Sequence, residues 1–422
     1  MQEEIKSAQI KTSPTVSALL SPFFKKFKKN LNQKSGFQAS KNSSRDFFKS
    51  LLKAIFTPPQ LSKNIYGLDI GSSAIKLIQI NRGKSGLELT DFFIEELPKG
   101  IQPGYEVVKE ILKKLILKHK IQGNVVASIG GDTVNIQTIR IPFMPEEEIA
   151  KALRWEAQDE LSIDLNSTSM DYIVLGEADK LGTRQFEVLL ITVPKSVVAE
   201  LVNSIRDIGL NPHAFEPPAL AVVEAFGSDK LRKEGRVLGI LDLGARLTNF
   251  SIVIDGSLRF TRNIPIASDL LTEEIASYCG VDKIKAENLK IEYGLSGFFD
   301  SQALDKLNQD TGALNEKLCV YQAVSFKIEK LINIIEHTFK SYLHQLSTLN
   351  ITGFDKLILS GGGALIKDLD KILSSRFNIP VIVANPFERI LIDSGKFDSV
   401  YIKRNAPRFT LAVGLALRKD GF

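Results

Sequence analysis

An apolar strand ending in Asp-x-Gly occurs twice in this chain, 173 residues apart, and no other feature constrains the fold as strongly. The first copy is Ile65-Tyr66-Gly67-Leu68-Asp69-Ile70, followed by a small-residue turn and the alternating Lys76-Leu77-Ile78-Gln79-Ile80. The second is Leu238-Gly239-Ile240-Leu241-Asp242-Leu243-Gly244, followed by Asn249-Phe250-Ser251-Ile252-Val253-Ile254. Each reads as strand, tight turn, strand. Solenoids and propellers repeat every ~20–50 residues, so a repeat at half the length of the protein points to a duplicated lobe. At 422 residues the chain is long enough for two such lobes, each with its own core.

The chemistry of these turns follows from their residues. A strand fixes the carboxylate at its carboxyl end. The Gly that follows lets backbone N–H groups turn toward an anion and lets phosphate oxygens come close. Ser72 and Ser73 add hydroxyl donors. The Asp cannot hold phosphate itself, because like charges repel, but it can hold a hydrated Mg²⁺ that bridges phosphates. One such turn is an ordinary β-hairpin. Two of them, with Gly361-Gly362-Gly363-Ala364 after the apolar strand Lys356-Leu357-Ile358-Leu359-Ser360, make a ligand site. The glycine triplet alone would read as a flexible loop. After a buried strand and ahead of a helix at Lys367–Leu373, it lets a flat base and sugar lie against bare backbone.

Between the repeats, about 124–193, lies a compact block. It reads as a strand pair (Val125–Ile141), a helix opening with Pro145-Glu146-Glu147-Glu148, and two strands (Ser169–Leu175 and Gln185–Val193). Trp155, with Leu153 and Leu161, is expected to pack this block's core. Helices are expected at Lys195–Ile208 and from about Glu316 to Leu346.

Charge is distributed unevenly. Residues 1–63 carry a net charge of +9, and the remainder −4. The first 45 residues are polar and aperiodic and read as disordered. Phe47, Phe48, Leu51, Leu52, Ile55 and Phe56 then recur at helical spacing until Pro58-Pro59. This helix packs on the body, or it is a weak anchor on an anionic membrane surface. The core gives no reason to expect nucleic acid. No apolar run approaches the ~18–20 residues a spanning helix needs, and the first residues lack the pattern of a secretion signal. Cys279 and Cys319 are too few for a disulfide framework and belong to no metal-type pair, so a reducing cytoplasm is the simple reading. His119, His213, His337 and His344 form no metal-like cluster in sequence.

Together, Asp69-Ile70-Gly71-Ser72-Ser73, Asp242-Leu243-Gly244-Ala245 and Ser360-Gly361-Gly362-Gly363 resemble the phosphate 1, phosphate 2 and adenosine motifs of the actin, FtsA and DnaK-type ATPases. The resemblance covers residues 64–422. Three stretches are similar to the PilM family of type IV pilus assembly: Tyr66–Leu77, Ile141-Pro142 running into the Glu146–Leu161 helix, and Ile264-Pro265-Ile266. The resemblance implies an α/β, actin-like ATPase fold of two duplicated lobes with a small inserted strand–helix–strand–strand subdomain. The boundaries are then a basic extension at 1–63 with its helix near 46–56, a first lobe at 64–235, a second at 236–402, and a strand and helix at 403–422 returning to the first lobe.

The same resemblance assigns residues and ligands. ATP and Mg²⁺ are the implied cofactors. Asp69 and Asp242 would act on the metal through water and serve as the acidic pair of the reaction. Gly71, Ser72, Ser73, Lys76, Gly244, Ala245 and Thr248 would surround the phosphates. Glu287 and Lys290 match the ribose contact, and Gly361, Gly362 and Gly363 the adenosine turn. Glu216, in Glu216-Pro217-Pro218-Ala219, resembles the glutamate that supports water activation in DnaK-type ATPases. The second turn departs from the usual pattern, because Ala245-Arg246-Leu247-Thr248 puts Leu247 where a hydroxyl donor is common and adds a long cation at Arg246. The expectation is therefore ATP binding with at most slow hydrolysis. The implied partner is the cytoplasmic N-terminal peptide of a PilN-like inner-membrane protein, which places the chain in the cytoplasm at the inner face of that membrane. The inserted helix, with Arg154, Trp155 and Glu156 exposed or near its edge, is expected to form one wall of the peptide site. Peripheral membrane contact through residues 1–56 and homo-oligomerisation stay open. The rival readings are an FtsA-like filament protein, which would carry a linker and anchor after Leu417, and an actin-fold kinase or phosphohydrolase, which would need a further acidic base.

Overall fold

The computed structural model describes residues 65–83, 86–98, 105–130, 133–161, 164–180, 183–234, 236–296, 312–345, 351 and 353–418. The expected helix near 46–56 lies outside them. In chain order come β1 (Ile65–Ile70), β2 (Ala74–Gly83), β3 (Gly86–Glu96), α1 (Tyr105–His119), β4 (Asn124–Ser128), β5 (Asn135–Pro142), α2 (Glu146–Leu161), β6 (Thr168–Lys180) and β7 (Thr183–Pro194). Then follow α3 (Lys195–Asp207), β8 (Asn211–Glu216), α4 (Pro218–Phe226), α5 (Ser228–Glu234), β9 (Val237–Leu243), β10 (Thr248–Ile254) and β11 (Ser257–Ile264). The remainder is α6 (Ser268–Cys279), α7 (Lys283–Tyr293), α8 (Gly312–Gln345), β12 (Lys356–Ser360), α9 (Leu369–Phe377), β13 (Val381–Val383), β14 (Ile390–Leu391), α10 (Ser399–Arg404) and α11 (Thr410–Leu417).

Two compact units divide the chain, one built on Asn64–Ile139 with Ile191–Arg418, the other on Arg140–Leu190. The larger unit holds a six-stranded sheet of order β14-β3-β2-β1-β4-β8 and a five-stranded sheet of order β11-β10-β9-β12-β13. In the first, β1 is antiparallel to β2 and parallel to β4, which is parallel to β8. In the second, β9 is antiparallel to β10 and parallel to β12, which is parallel to β13. The sheets are therefore two copies of one topology, with the repeated Asp-x-Gly at the ends of the equivalent strands β1 and β9. The central strands β1, β4, β9 and β12, which form the parallel part of each mixed sheet, read as near-continuous apolar runs, as strands buried on both faces do.

Each lobe encloses its own core. Leu68, Ile75, Leu77, Leu115, Val125 and Ile205 fill the first, and Leu241, Phe250, Ile275, Leu331, Ile335 and Leu359 the second. On α8 the buried residues Val320, Val324, Ile328, Leu331, Ile335, Phe339 and Tyr342 step by three or four, the spacing of a helix face. At the C-terminus α11 lies directly on the first lobe. A Cβ at Gly414 would overlap the Ala221 carbonyl, and a Cβ at Gly67 would overlap the Ala412 carbonyl, so both positions need Gly for backbones to meet.

The structure shifts several expected boundaries. β4, assigned from sequence to the inserted block, pairs with β1 and β8 in the first-lobe sheet. A strand with apolar residues on both faces, Val125-Val126-Ala127, belongs inside such a sheet. The return to the first lobe begins before residue 403, because β14 already pairs with β3. Among the described residues it closes with a 3₁₀ turn (Ala406–Phe409) and a helix (Thr410–Leu417), where a strand and helix were expected.

The Arg140–Leu190 unit takes its strands from a three-stranded sheet of order β5-β7-β6, with α2 between β5 and β6 in sequence. Ile149, Leu153 and Ala157 form the buried face of α2 at i, i+4, i+8. Trp155 is 64% exposed, which corrects the expectation that it packs the core. Two residues beyond Leu153, it points to the opposite side of the helix.

Cys279 and Cys319 are joined by a disulfide, with Cα atoms 5.8 Å apart. Cysteine counting did not anticipate this bond, which ties the end of α6 to α8. No helix among the described residues is long and apolar enough to cross a membrane.

Candidate functional site

A cleft of about 1910 Å³ is bordered by both Asp-x-Gly turns, the glycine triplet, and the starts of α6 and α7. Small-molecule sites usually occupy ~300–1,000 Å³, so this one has room for a nucleotide and continues beyond it.

The first turn is closed by Gly71 N–H donating to the Ala74 carbonyl at 3.1 Å. Asp69 is 4% exposed and faces Lys76 across the β1–β2 register. Lys76 Nζ donates to Asp69 Oδ2 at 2.7 Å, and both side chains are largely buried. Ser72 and Ser73 remain exposed at the cleft.

The second turn repeats the geometry, with Gly244 N–H donating to the Leu247 carbonyl at 3.1 Å. It is hooked to α6 by Ser268 N–H on the Gly244 carbonyl (3.1 Å) and Asp269 N–H on the Ala245 carbonyl (2.7 Å). Burial pushes the Asp242 carboxyl above its ordinary range. The Asp69 charge adds to that, against the Ser360 hydroxyl and the Lys76 ammonium. The two repeated carboxylates thus feel each other across the cleft. A hydrated divalent cation on a polyphosphate would relieve this repulsion, so the donor set fits Mg²⁺.

Thr248, proposed from sequence as a phosphate contact, is fully buried, and its hydroxyl donates to the Ile266 carbonyl at 2.6 Å. It anchors the turn from behind, while its neighbours Arg246, Leu247 and Asn249 line the cleft. Asn249 stands opposite Asp242 in the register, the place Lys76 holds opposite Asp69.

The glycine triplet presses on the second turn. Gly361 has φ +82°, and a Cβ there would stand 3.0 Å from Asp242 Oδ1. A Cβ at Gly363 would overlap the Leu243 side chain. At Gly362 an added Cβ meets nothing within 4 Å, so bare backbone faces the open cleft. This is the cradle a flat ligand needs.

At the α6–α7 wall, Lys290 is 4% exposed and committed to the protein. Its Nζ donates to the Ser268 carbonyl (3.1 Å), Ser268 Oγ (2.7 Å) and Thr272 Oγ1 (2.7 Å), and it pairs with Glu287 Oε2 at 2.7 Å. Thr272 Oγ1 in turn donates to Glu287 Oε2 at 2.6 Å. Lys290 braces the wall, and Glu287 presents the carboxylate at the cleft. Glu216 is not among the cleft-lining residues, and its carboxylate pairs with Arg418 Nε at 2.7 Å. Only Pro217, Pro218 and Ala219 of its turn reach the cleft. Sequence reasoning missed Ser268, Asp269 and Thr272; the only available signal was a helix start after Ile264-Pro265-Ile266.

Residues 67–420 match the profile of the family described as type IV pilus assembly protein PilM. Cell division protein FtsA of Borreliella burgdorferi is 28% identical over 247 residues, 57% of this chain and 56% of the relative. FtsA of Neisseria meningitidis is 23% identical over 290 residues, 64% of each. The chain thus spans less than two thirds of the length of these relatives. Among solved structures, a PilM–PilN type IV pilus biogenesis complex matches with a TM-score of 0.67 at 22% identity, covering 85% of this chain and 99% of the other. That likeness establishes the actin-like fold, and the profile match, spanning both Asp-x-Gly turns and the glycine triplet, establishes the family: this chain belongs to the type IV pilus assembly protein PilM family.

Proposed function

We propose that this chain is an ATP-binding scaffold of type IV pilus assembly. The observation that carries the proposal is the pair of Asp-x-Gly turns closing on one cleft against the open backbone of Gly362. Asp69 and Asp242 would hold Mg²⁺, Gly71–Ser73 and Gly244–Ala245 would receive the phosphates, and Glu287 would receive the ribose hydroxyls. Bound Mg²⁺ neutralises phosphate charge, and the chain's own residues orient the nucleotide. With Glu216 paired to Arg418 and Thr248 turned inward, the site is built to hold ATP, and hydrolysis is slow.

The partner is the N-terminal cytoplasmic peptide of a PilN-like inner-membrane protein, and residues 1–56 add electrostatic contact with the anionic leaflet. This reading draws on the family and on the partner named in the solved complex. A melting assay tests the nucleotide. Mg-ATP at about 100 times its Kd adds ~2.7 kcal/mol to wild-type stability, and folded Asp69→Ala and Gly362→Asp proteins should lose that shift. An equal shift in all three sinks the assignment. Co-purification of pilus inner-membrane proteins tests the partner. The FtsA relatives favour a second reading, an ATP-dependent filament, which sedimentation of the purified chain with and without Mg-ATP separates from the first.

A further inference from the structure

We propose that Arg246 is the residue that reads the terminal phosphate of the nucleotide, with Asp269 as its partner while that phosphate is absent. The inference rests on the nucleotide reading above and adds a discriminating residue to it.

Arg246 lies in the second acidic turn, two residues after Gly244, and lines the cleft together with Asp69, Asp242 and Gly362. Its backbone position is set on both sides. The turn is closed by the Gly244 N–H to Leu247 carbonyl bond, and Ala245 is held by Asp269 N–H from the first turn of α6. The guanidinium therefore starts between the phosphate turn and the α6 wall. Its Nε is 3.7 Å from Asp269 Oδ2, and the two side chains are 38% and 51% exposed.

That pair is loose. A half-exposed ion pair at this separation gains little, because water screens both charges. The other cations near the turns are committed differently. Lys76 is 2.7 Å from the buried Asp69 carboxylate. Lys290 is enclosed by Ser268, Thr272 and Glu287. Recruiting Lys76 would leave the buried Asp69 carboxylate uncompensated, which is costly, and recruiting Lys290 would break the bonds that enclose its buried ammonium. Recruiting Arg246 strands only a half-exposed carboxylate. A guanidinium also presents a planar fork of donors that matches phosphate oxygens, and a terminal phosphate outcompetes one loosely placed carboxylate for it.

The exchange separates triphosphate from diphosphate. With the terminal phosphate present, Arg246 turns to it and Asp269 is left facing Lys290, beside Glu273 and Glu287. Without that phosphate, Arg246 stays on Asp269. Arg246 thereby supplies charge on the turn where Leu247 supplies no hydroxyl.

The test is titration of the full chain with Mg-ATP and Mg-ADP, comparing wild type, Arg246→Ala, Arg246→Lys and Asp269→Asn. Arg246→Ala should weaken ATP on the order of 10–100-fold, the range for losing a hydrogen bond to a charged group, and leave ADP nearly unchanged. Arg246→Lys should recover part of the ATP affinity, and Asp269→Asn should retain the preference for ATP. Equal losses for ATP and ADP, or none, in Arg246→Ala while wild type binds both would overturn the role of Arg246 and leave the nucleotide site standing. Absence of binding to either nucleotide by wild type would overturn the site itself and this inference with it. Should Arg246→Ala fail to fold, Arg246→Lys decides, because a point charge cannot reproduce the fork and must show a reduced ATP-to-ADP ratio.

Discussion

Reducing the Cys279–Cys319 bond should destabilise the second lobe by an amount that its position in the chain determines. The bond joins residues 40 apart in sequence. By the chain-entropy relation, opening a loop of that length returns about 4 kcal/mol of conformational freedom to the unfolded state at 25 °C. The Asn64–Ile139 and Ile191–Arg418 unit has roughly 300 residues. At ~2.1 cal/mol/K of unfolding entropy per residue, the loss lowers the melting temperature by about 6 °C. The folded state keeps the contacts of α6 with α8, because Ile275, Val320 and Val324 belong to one buried cluster regardless of the bond. Differential scanning calorimetry of oxidised wild type, wild type in a phosphine reductant, and Cys319→Ser would measure this. The reduced protein and the variant should melt together, below oxidised wild type, and the variant should not respond to reductant. If all three melt within about 1 °C of each other, the loop-entropy argument is wrong for this pair.

Three further perturbations follow from side chains the structure repositions. Thr248→Val removes the donor to the Ile266 carbonyl and should cost about 1–3 kcal/mol in urea unfolding, because a buried acceptor is left unmade; a change in ATP affinity would return Thr248 to the phosphate contacts. Gly414→Ala forces a methyl into the Ala221 carbonyl, and α11 cannot retreat without leaving β1, so a loss of ~1–3 kcal/mol or more is expected, and an unchanged urea midpoint would contradict the close packing. Burial, the largest cause, raises the Asp269 carboxyl, against Lys290 and Arg246. Its folded pKa lies above the unfolded one, so its contribution is full below the unfolded value and is lost as pH rises through the folded value. Asp269→Asn should flatten the fall in melting temperature across the carboxylate range, and a slope equal to wild type would refute the shift.

The duplicated lobes were legible because a strand ending in Asp-x-Gly leaves the same mark wherever it occurs. Equivalent strands β1 and β9 carry that mark, and their neighbours pair in the same order. The side on which each turn residue faces was not legible. Thr248 and Asn249 are adjacent polar residues, and only the β9–β10 register sends one to the core and the other to the cleft. Trp155 was misread through its bulk, although the Ile149, Leu153, Ala157 spacing already places it off the buried face. β4 was assigned to the inserted block because it precedes β5 in sequence, yet its partners β1 and β8 are remote. Lys290 was expected to be a ligand because, with Glu287, it matches the family's ribose contact. Its enclosure comes from Ser268 and Thr272, 22 and 18 residues away, which no local pattern could signal. The disulfide likewise depends on α6 and α8 being neighbours in space.

The two devices at the ends of α6 should act independently, and the geometry says why. The first turn of α6 is bonded to the second acidic turn through the Gly244 and Ala245 carbonyls, so the two move as one body. Exchange of Arg246 between Asp269 and a phosphate is then a side-chain rotation that asks nothing of the helix axis. The other end of α6, at Cys279, lies 11 residues on, or about 16 Å at 1.5 Å per residue, and its bond to Cys319 resists only motions of the helix as a whole. Opening the disulfide should therefore lower stability while the ratio of ATP to ADP affinity stays within about twofold of wild type, well inside the effect expected of an arginine–phosphate bond. Titrating both nucleotides into Cys319→Ser measures this directly. A ratio that collapses when the bond opens would show that α6 must shift bodily for the terminal phosphate to be read, and would refute a mechanism confined to the Arg246 side chain.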